Sequence, residues 1–187
     1  MKLFVLIFAL TFFTMNAQDT LPYAKLPDYP ENYTAGTVAA RMVDGLGFRF
    51  YWATEGLGES DLVYKFNEEA RSTGETIRHI YDLSNVILFS VLKQPNQKID
   101  VSDKSDEEVR KLALMNLKKA SEILTKTDDL SQITIDFGNG RVFPFWNAIN
   151  GPIADAIWHC GQIASFRRNS GNPISSKVNH FTGTIKE

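Results

Sequence analysis

Asp155 and His159 stand four apart in the stretch GPIADAIWHCGQIASFRRNSGNP, residues 151–173. On a helix, positions i and i+4 share a face, so a carboxylate and an imidazole stack there beside apolar neighbours. A third group, His79, lies in ETIRHIYDLSNVIL, residues 75–88, with Thr76, Ile80 and Leu83 as its helical neighbours. Two imidazoles and one carboxylate are a standard metal-ligand set. A catalytic zinc takes three protein ligands and leaves a fourth position to water. The same set forms the triad that holds non-haem iron(II). A divalent metal held this way lowers the pKa of its water from 15.7 to about 7, and so supplies a nucleophile at neutral pH; it could equally activate a thiol. The rival reading is a solvated helix edge, because Asp-x-x-x-His alone is a common spacing.

Such ligands need helices to aim them, and the chain supplies these. In residues 37–54, Val38, Met42, Leu46 and Phe50 keep a three-to-four spacing, and Gly56 and Gly58 end the run. A second helix starts at Ser72 or Thr73 with Glu75 in its first turn. It carries Ile77, Ile80, Leu83, Ile87 and Val91 on one face before Pro95. Ser105-Asp106-Glu107-Glu108 is a capping box that opens a third helix through Leu124. QITIDFGNGRVFPFW then alternates polar and apolar around Gly138-Asn139-Gly140, which predicts a β-hairpin. A fourth helix runs from Phe145 to about Asn169 and kinks or restarts at Gly151-Pro152. The expected fold is all-α: a four-helix bundle with a short β-hairpin between the third and fourth helices.

The chain as a whole sets limits. Its 187 residues can bury a core without staples. A net charge of −2 offers no basic face to nucleic acid. One cysteine, Cys160, rules out an intrachain disulfide and a cysteine-rich zinc module. Lys2 followed by the apolar run Leu3–Phe13 reads as a signal peptide over residues 1–17, cut after Ala17, with residues 18–34 as an extended lead-in and residues 35–187 as one domain. That predicts a periplasmic or secreted protein with no membrane segment after cleavage.

Several single residues have plainer expectations. Cys160, about 100° around the helix from His159, reads as a buried small apolar side chain. Gln162 could orient a ligand or bond a backbone carbonyl, the latter being the simpler expectation. Trp52, Trp146 and Trp158 read mostly as core. Arg167 and Arg168 suit the negative end of a helix, and Glu75 suits the positive end. His180 reads as a surface residue and not as a fourth ligand.

At these motifs the chain resembles the DinB-like metalloenzyme superfamily, which includes YfiT-type proteins. ETIRHIYDLSNVIL looks like the family's second helix, whose histidine is His79 here. ADAIWHCGQIASFRR, residues 154–168, looks like the family's last helix, which usually reads His-x-x-x-His followed by Gly-Gln-Ile. His159 with Gly161-Gln162-Ile163 fits, whereas Asp155 stands where the family has its first histidine. The resemblance covers about residues 35–170. It implies a divalent metal on His79, Asp155 and His159, zinc first, with nickel, manganese or iron as alternatives. The carboxylate lowers the charge of the site by one, which favours harder metals. Relatives include thiol-dependent transferases, but export away from low-molecular-weight thiols favours a metal-dependent hydrolase acting on a small molecule through a metal-bound water. The alternatives are a thiol-dependent transferase, or a non-catalytic binding or structural module of the same fold. Relatives often pair, which leaves room for a homodimer.

Overall fold

The first three long helices each begin where a hydroxyl side chain meets backbone N–H groups that lack partners in the first turn. In the computed structural model, which describes residues 20–186, helix α1 spans Ala35–Thr54. Thr34 and Thr37 cap it reciprocally, at 3.2 Å and 2.9 Å. A single turn, α2, occupies Glu59–Leu62, inside what the sequence presents as a plain connector. Helix α3 spans Thr73–Val91. Its cap is Ser72, whose Oγ accepts from the Glu75 N–H at 3.1 Å while the Glu75 carboxylate accepts from the Ser72 N–H at 2.7 Å. Helix α4 spans Asp106–Leu124 and starts on the expected Ser105–Glu108 box.

The chain is mostly helical, in keeping with the all-α expectation. α1 packs on α4 and on a final helix, α6, while α3 packs on α4 and α6. Their apolar stripes meet in one core that contains Leu46, Phe50, Ile77, Ile80, Ile87, Leu114 and Leu117. Burying each such side chain is worth roughly 1.5–3 kcal/mol. α1 crosses close to the end of α4 because Gly36 has no side chain: a Cβ there would lie 1.8 Å from the Thr127 carbonyl oxygen.

The hairpin falls where the alternation places it. β1, Thr134–Asp136, pairs antiparallel with β2, Val142–Pro144, and Ile135 faces Phe143. A short helix α5, Trp146–Ala148, leads into a wide π-type turn over Ile149–Ile153, and α6 continues over Ala154–Ser170. The kink is at Gly151, where φ is −93° and ψ is −105°, so the Gly-Pro pair bends the segment without ending it. α6 stops at Gly171, whose φ of 87° is left-handed and suits a residue without a Cβ.

Two expectations need correction, and one element is not anticipated by the sequence. Trp146 and Trp158 are exposed, each at 73%, because the row of α6 that meets the core runs through Ala156, Cys160 and Ile163. Arg167 is not a free end-of-helix charge. It is buried and ties α6 to the last turn of α1: Nη1 donates to the carbonyls of Trp52 (3.0 Å), Ala53 (3.3 Å) and Glu55 (2.9 Å), and Nε donates to that of Asn172 (2.7 Å). The C-terminal tail forms a second hairpin, β3 Val178–Asn179 with β4 Thr184–Ile185.

The lead-in is anchored. Tyr23 is buried and its hydroxyl donates to Asp44 Oδ1 at 3.1 Å, and Leu26 N donates to the Gly183 carbonyl at 2.9 Å. The expected signal peptide lies outside the described residues. Among the described residues, no helix is long and apolar enough to cross a membrane.

Candidate metal centre

α3 and α6 run side by side, and their facing edges carry the three residues singled out by spacing. On α3, Ile77 and Ile80 point into the core, and His79 sits between them at the edge of the buried stripe, with its side chain 28% exposed. On α6 the row Asp155–His159–Gln162 is turned about 100° from the core row Ala156–Cys160–Ile163. That turn brings it to the side where α3 lies.

The result is a three-residue cluster. His79 Nε2 is 3.4 Å from Asp155 Oδ2, and His159 Nε2 is 3.4 Å from Asp155 Oδ1. One ligand atom from each residue lies within 4.8 Å of the other two, so the group could hold a metal ion. The two imidazoles meet edge to face, with ring centres 4.7 Å apart and planes at 85°. Ligand bonds of about 2.0–2.2 Å in a tetrahedral zinc site separate neighbouring ligand atoms by about 3.3 Å. The two 3.4 Å contacts are close to that edge but run to different Asp155 oxygens, and the full set of ligand atoms spreads to 4.8 Å, so a tetrahedral ion would draw the three side chains together. The 3.4 Å contacts are long for hydrogen bonds, which prefer about 2.7–3.2 Å.

Electrostatics prepares the imidazole. Burial, then the positive fields of Arg71 and His159, push the His79 pKa below its ordinary 6.5, and Asp155 opposes the shift. A neutral imidazole is the form that ligates. The sign for the metal-free chain follows from the same shift. The unfolded His79 takes its proton near 6.5, before the folded one does, so stability is full above that pH and falls as pH drops through it. The midpoint of urea unfolding should therefore decline between pH 7.5 and 5.5 more steeply in the metal-free protein than in His79→Gln. Equal slopes would mean that His79 has no such shift.

Gln162 does more than bond a backbone carbonyl. Its Oε1 is 2.6 Å from His159 Nδ1. An amide oxygen only accepts, so the contact places the proton on Nδ1 and leaves the Nε2 lone pair facing Asp155 and His79. Partners of this kind orient ligating histidines, and their loss costs about 10- to 100-fold in metal affinity. Gln162→Ala should weaken metal affinity by that factor in a chelator competition with the helical signal unchanged. A loss under threefold would make the contact incidental.

The other candidates separate cleanly. Cys160 is buried, burial pushes its thiol up to about 12, and it is not a member of the cluster. Glu75 caps α3 and does not reach His79. His180 is exposed at the second hairpin, 5.7 Å from the Phe48 ring between centres, and is not a member of the cluster. Sequence spacing does not reveal Arg71 as a neighbour of His79, because the effect crosses the turn before α3.

A cleft of about 560 Å³ lies elsewhere, under the lead-in between α1 and α4. Ligand geometry is the better guide to a metal centre than cavity volume, since coordination needs converging lone pairs and little space. Side-chain exposures of 12%, 28% and 42% for His159, His79 and Asp155 leave the cluster open to solvent and to a substrate approaching across the surface. In comparisons with known proteins, no family model matches the chain and no curated protein matches it.

Proposed function

We propose that the protein is an exported, metal-dependent hydrolase built as a DinB-like four-helix bundle, with His79, Asp155 and His159 holding a divalent metal, zinc first. The observation that carries this reading is the convergence of the three ligand atoms within 4.8 Å, with Asp155 between the two imidazoles. The mutual packing of α1, α3, α4 and α6 supports the bundle. When bound, the metal supplies a Lewis acid and a water activated near neutral pH. The chain's own residues do the rest. His79 and His159 would each offer a ring nitrogen, Gln162 orients the His159 ring through Nδ1, and Asp155 would add a carboxylate oxygen. Nickel, manganese and iron(II) remain compatible with two nitrogens and a carboxylate.

The test is hydrolysis of model carboxylic and phosphoric esters by metal-loaded protein, lost on chelation and restored by metal. A metal-loaded protein inactive on every class would sink the hydrolase reading and leave the metal centre standing. One observation favours a second reading, a non-catalytic binding module of the same fold: the cleft of about 560 Å³ under the lead-in does not include the cluster. That reading expects His79→Ala to alter packing and nothing else. A thiol-dependent transferase would instead show metal-dependent consumption of an added low-molecular-weight thiol.

A further inference from the structure

We propose that the cleft between α1, α6 and the C-terminal hairpin binds an anionic small molecule, one bearing a carboxylate or phosphate on a short apolar stem. The cleft has a volume of about 510 Å³, inside the roughly 300–1,000 Å³ typical of small-ligand sites. α1 and α6 contribute the guanidinium groups of Arg49 and Arg168, and the turn between β3 and β4 contributes the His180 imidazole as a further polar group. Among the described residues, none of those lining the cleft is acidic. Surface charges of one sign gathered around a concave space focus a field that attracts the opposite charge.

The donors suit an oxyanion. A guanidinium carries five N–H groups in a planar fork that matches carboxylate and phosphate oxygens. Arg49 directs Nη1 to the Gly45 carbonyl at 3.0 Å, which steadies the side chain at the cleft wall. Ser175 and Ser176 add hydroxyls at the rim. The floor is apolar, with Ile157, Cys160 and Ile174, and accounts for the stem. His180 reports the field: burial and the charge of Arg49 hold its pKa below the ordinary 6.5.

This site is separate from the metal centre. Ile157 follows Asp155 by two residues, which turns it about 200° around α6, so an anion in the cleft lies behind the helix from the metal ligands.

The experiment titrates phenyl phosphate, hexanoate and inorganic phosphate separately into the full chain, with a chelator present, by calorimetry and by NMR of the His180 ring. Saturable binding of phenyl phosphate or hexanoate is expected, with the His180 titration midpoint rising on binding. Affinity should fall at least tenfold in Arg49→Gln and in Arg168→Gln. Ser176→Glu keeps both arginines and places a competing carboxylate at the exposed rim, and should weaken binding by as much. His159→Ala should bind as the wild type does. Preference for phenyl phosphate assigns a phosphate ligand, and preference for hexanoate a carboxylate. Equal binding of inorganic phosphate would overturn the apolar stem. No saturable binding of any probe would overturn the site, as would loss in His159→Ala with retention in the arginine variants.

Discussion

Near one equivalent of divalent metal is expected to purify with the wild-type chain, and none with His159→Ala. The expectation rests on ligand count. Three side chains converge from two helices, and removing one leaves an imidazole and a carboxylate that cannot complete a three-ligand site. The loss should exceed the roughly 100-fold upper range for removing a mere orienting partner, which puts Gln162→Ala and His159→Ala in different classes. His159 lies outside the core row of α6, so its truncation should leave the helical signal intact. Metal content is read by mass spectrometry on untagged protein, before and after incubation with zinc, nickel, manganese or iron(II). Equal metal in wild type and variant would place the metal elsewhere. No metal in either, even after incubation, would make the His–Asp–His group an ordinary surface cluster.

The second large effect is on stability. Arg167→Met should lower the free energy of unfolding by about 2–4 kcal/mol, because one buried and two half-buried carbonyls lose a charged donor. The methionine keeps much of the stem and removes only the donors. The carbonyls of Trp52, Ala53 and Glu55 are at the end of α1 and have no further helical turn to bond. The Ala53 carbonyl is buried and the other two are half-buried; a buried one left alone costs about 1–3 kcal/mol. The damage spreads because Asn172, held by Arg167, also donates to Asp61 at 2.7 Å, and Ser170 donates to the same carboxylate at 2.5 Å. For a chain of this size, the loss corresponds to a Tm lower by about 10 °C. A change in urea midpoint equivalent to less than about 1 kcal/mol would mean that water satisfies the carbonyls as well as the guanidinium does.

What could be read in the sequence divides by range. Local signals were sufficient for the Ser105–Glu108 box, the Gly138-Asn139-Gly140 hairpin and the bend at Gly151-Pro152, because each is decided within a few residues. The grouping of His79, Asp155 and His159 was legible because two of its members share a helix row and the third lies in a strongly periodic helix. Arg167 was not legible, since its partners on α1 are more than a hundred positions away and a basic residue in a last turn has an adequate local explanation. Trp146 and Trp158 misled because aromatic size argues for burial while helix rotation decides it. Tyr23 and Asp44 pair across the lead-in, where no periodicity exists to read. The C-terminal hairpin has strands of two residues, too short to show alternation.

The wide turn at Ile149–Ile153 holds one residue more than an α-helical turn would. Apolar and polar side chains are barely segregated around α6, so the helix has little of its own to choose which side it shows to α3. Its angular setting comes from its small buried row, from Arg167 at its far end and from the turn that leads into it. Deleting one residue there would swing Asp155 and His159 by about 100° and draw them back by about 1.5 Å, with every ligand still present in the sequence. The extra residue thus acts as an indexing step, and chains with identical ligands but a different length at this turn would present a different edge to His79.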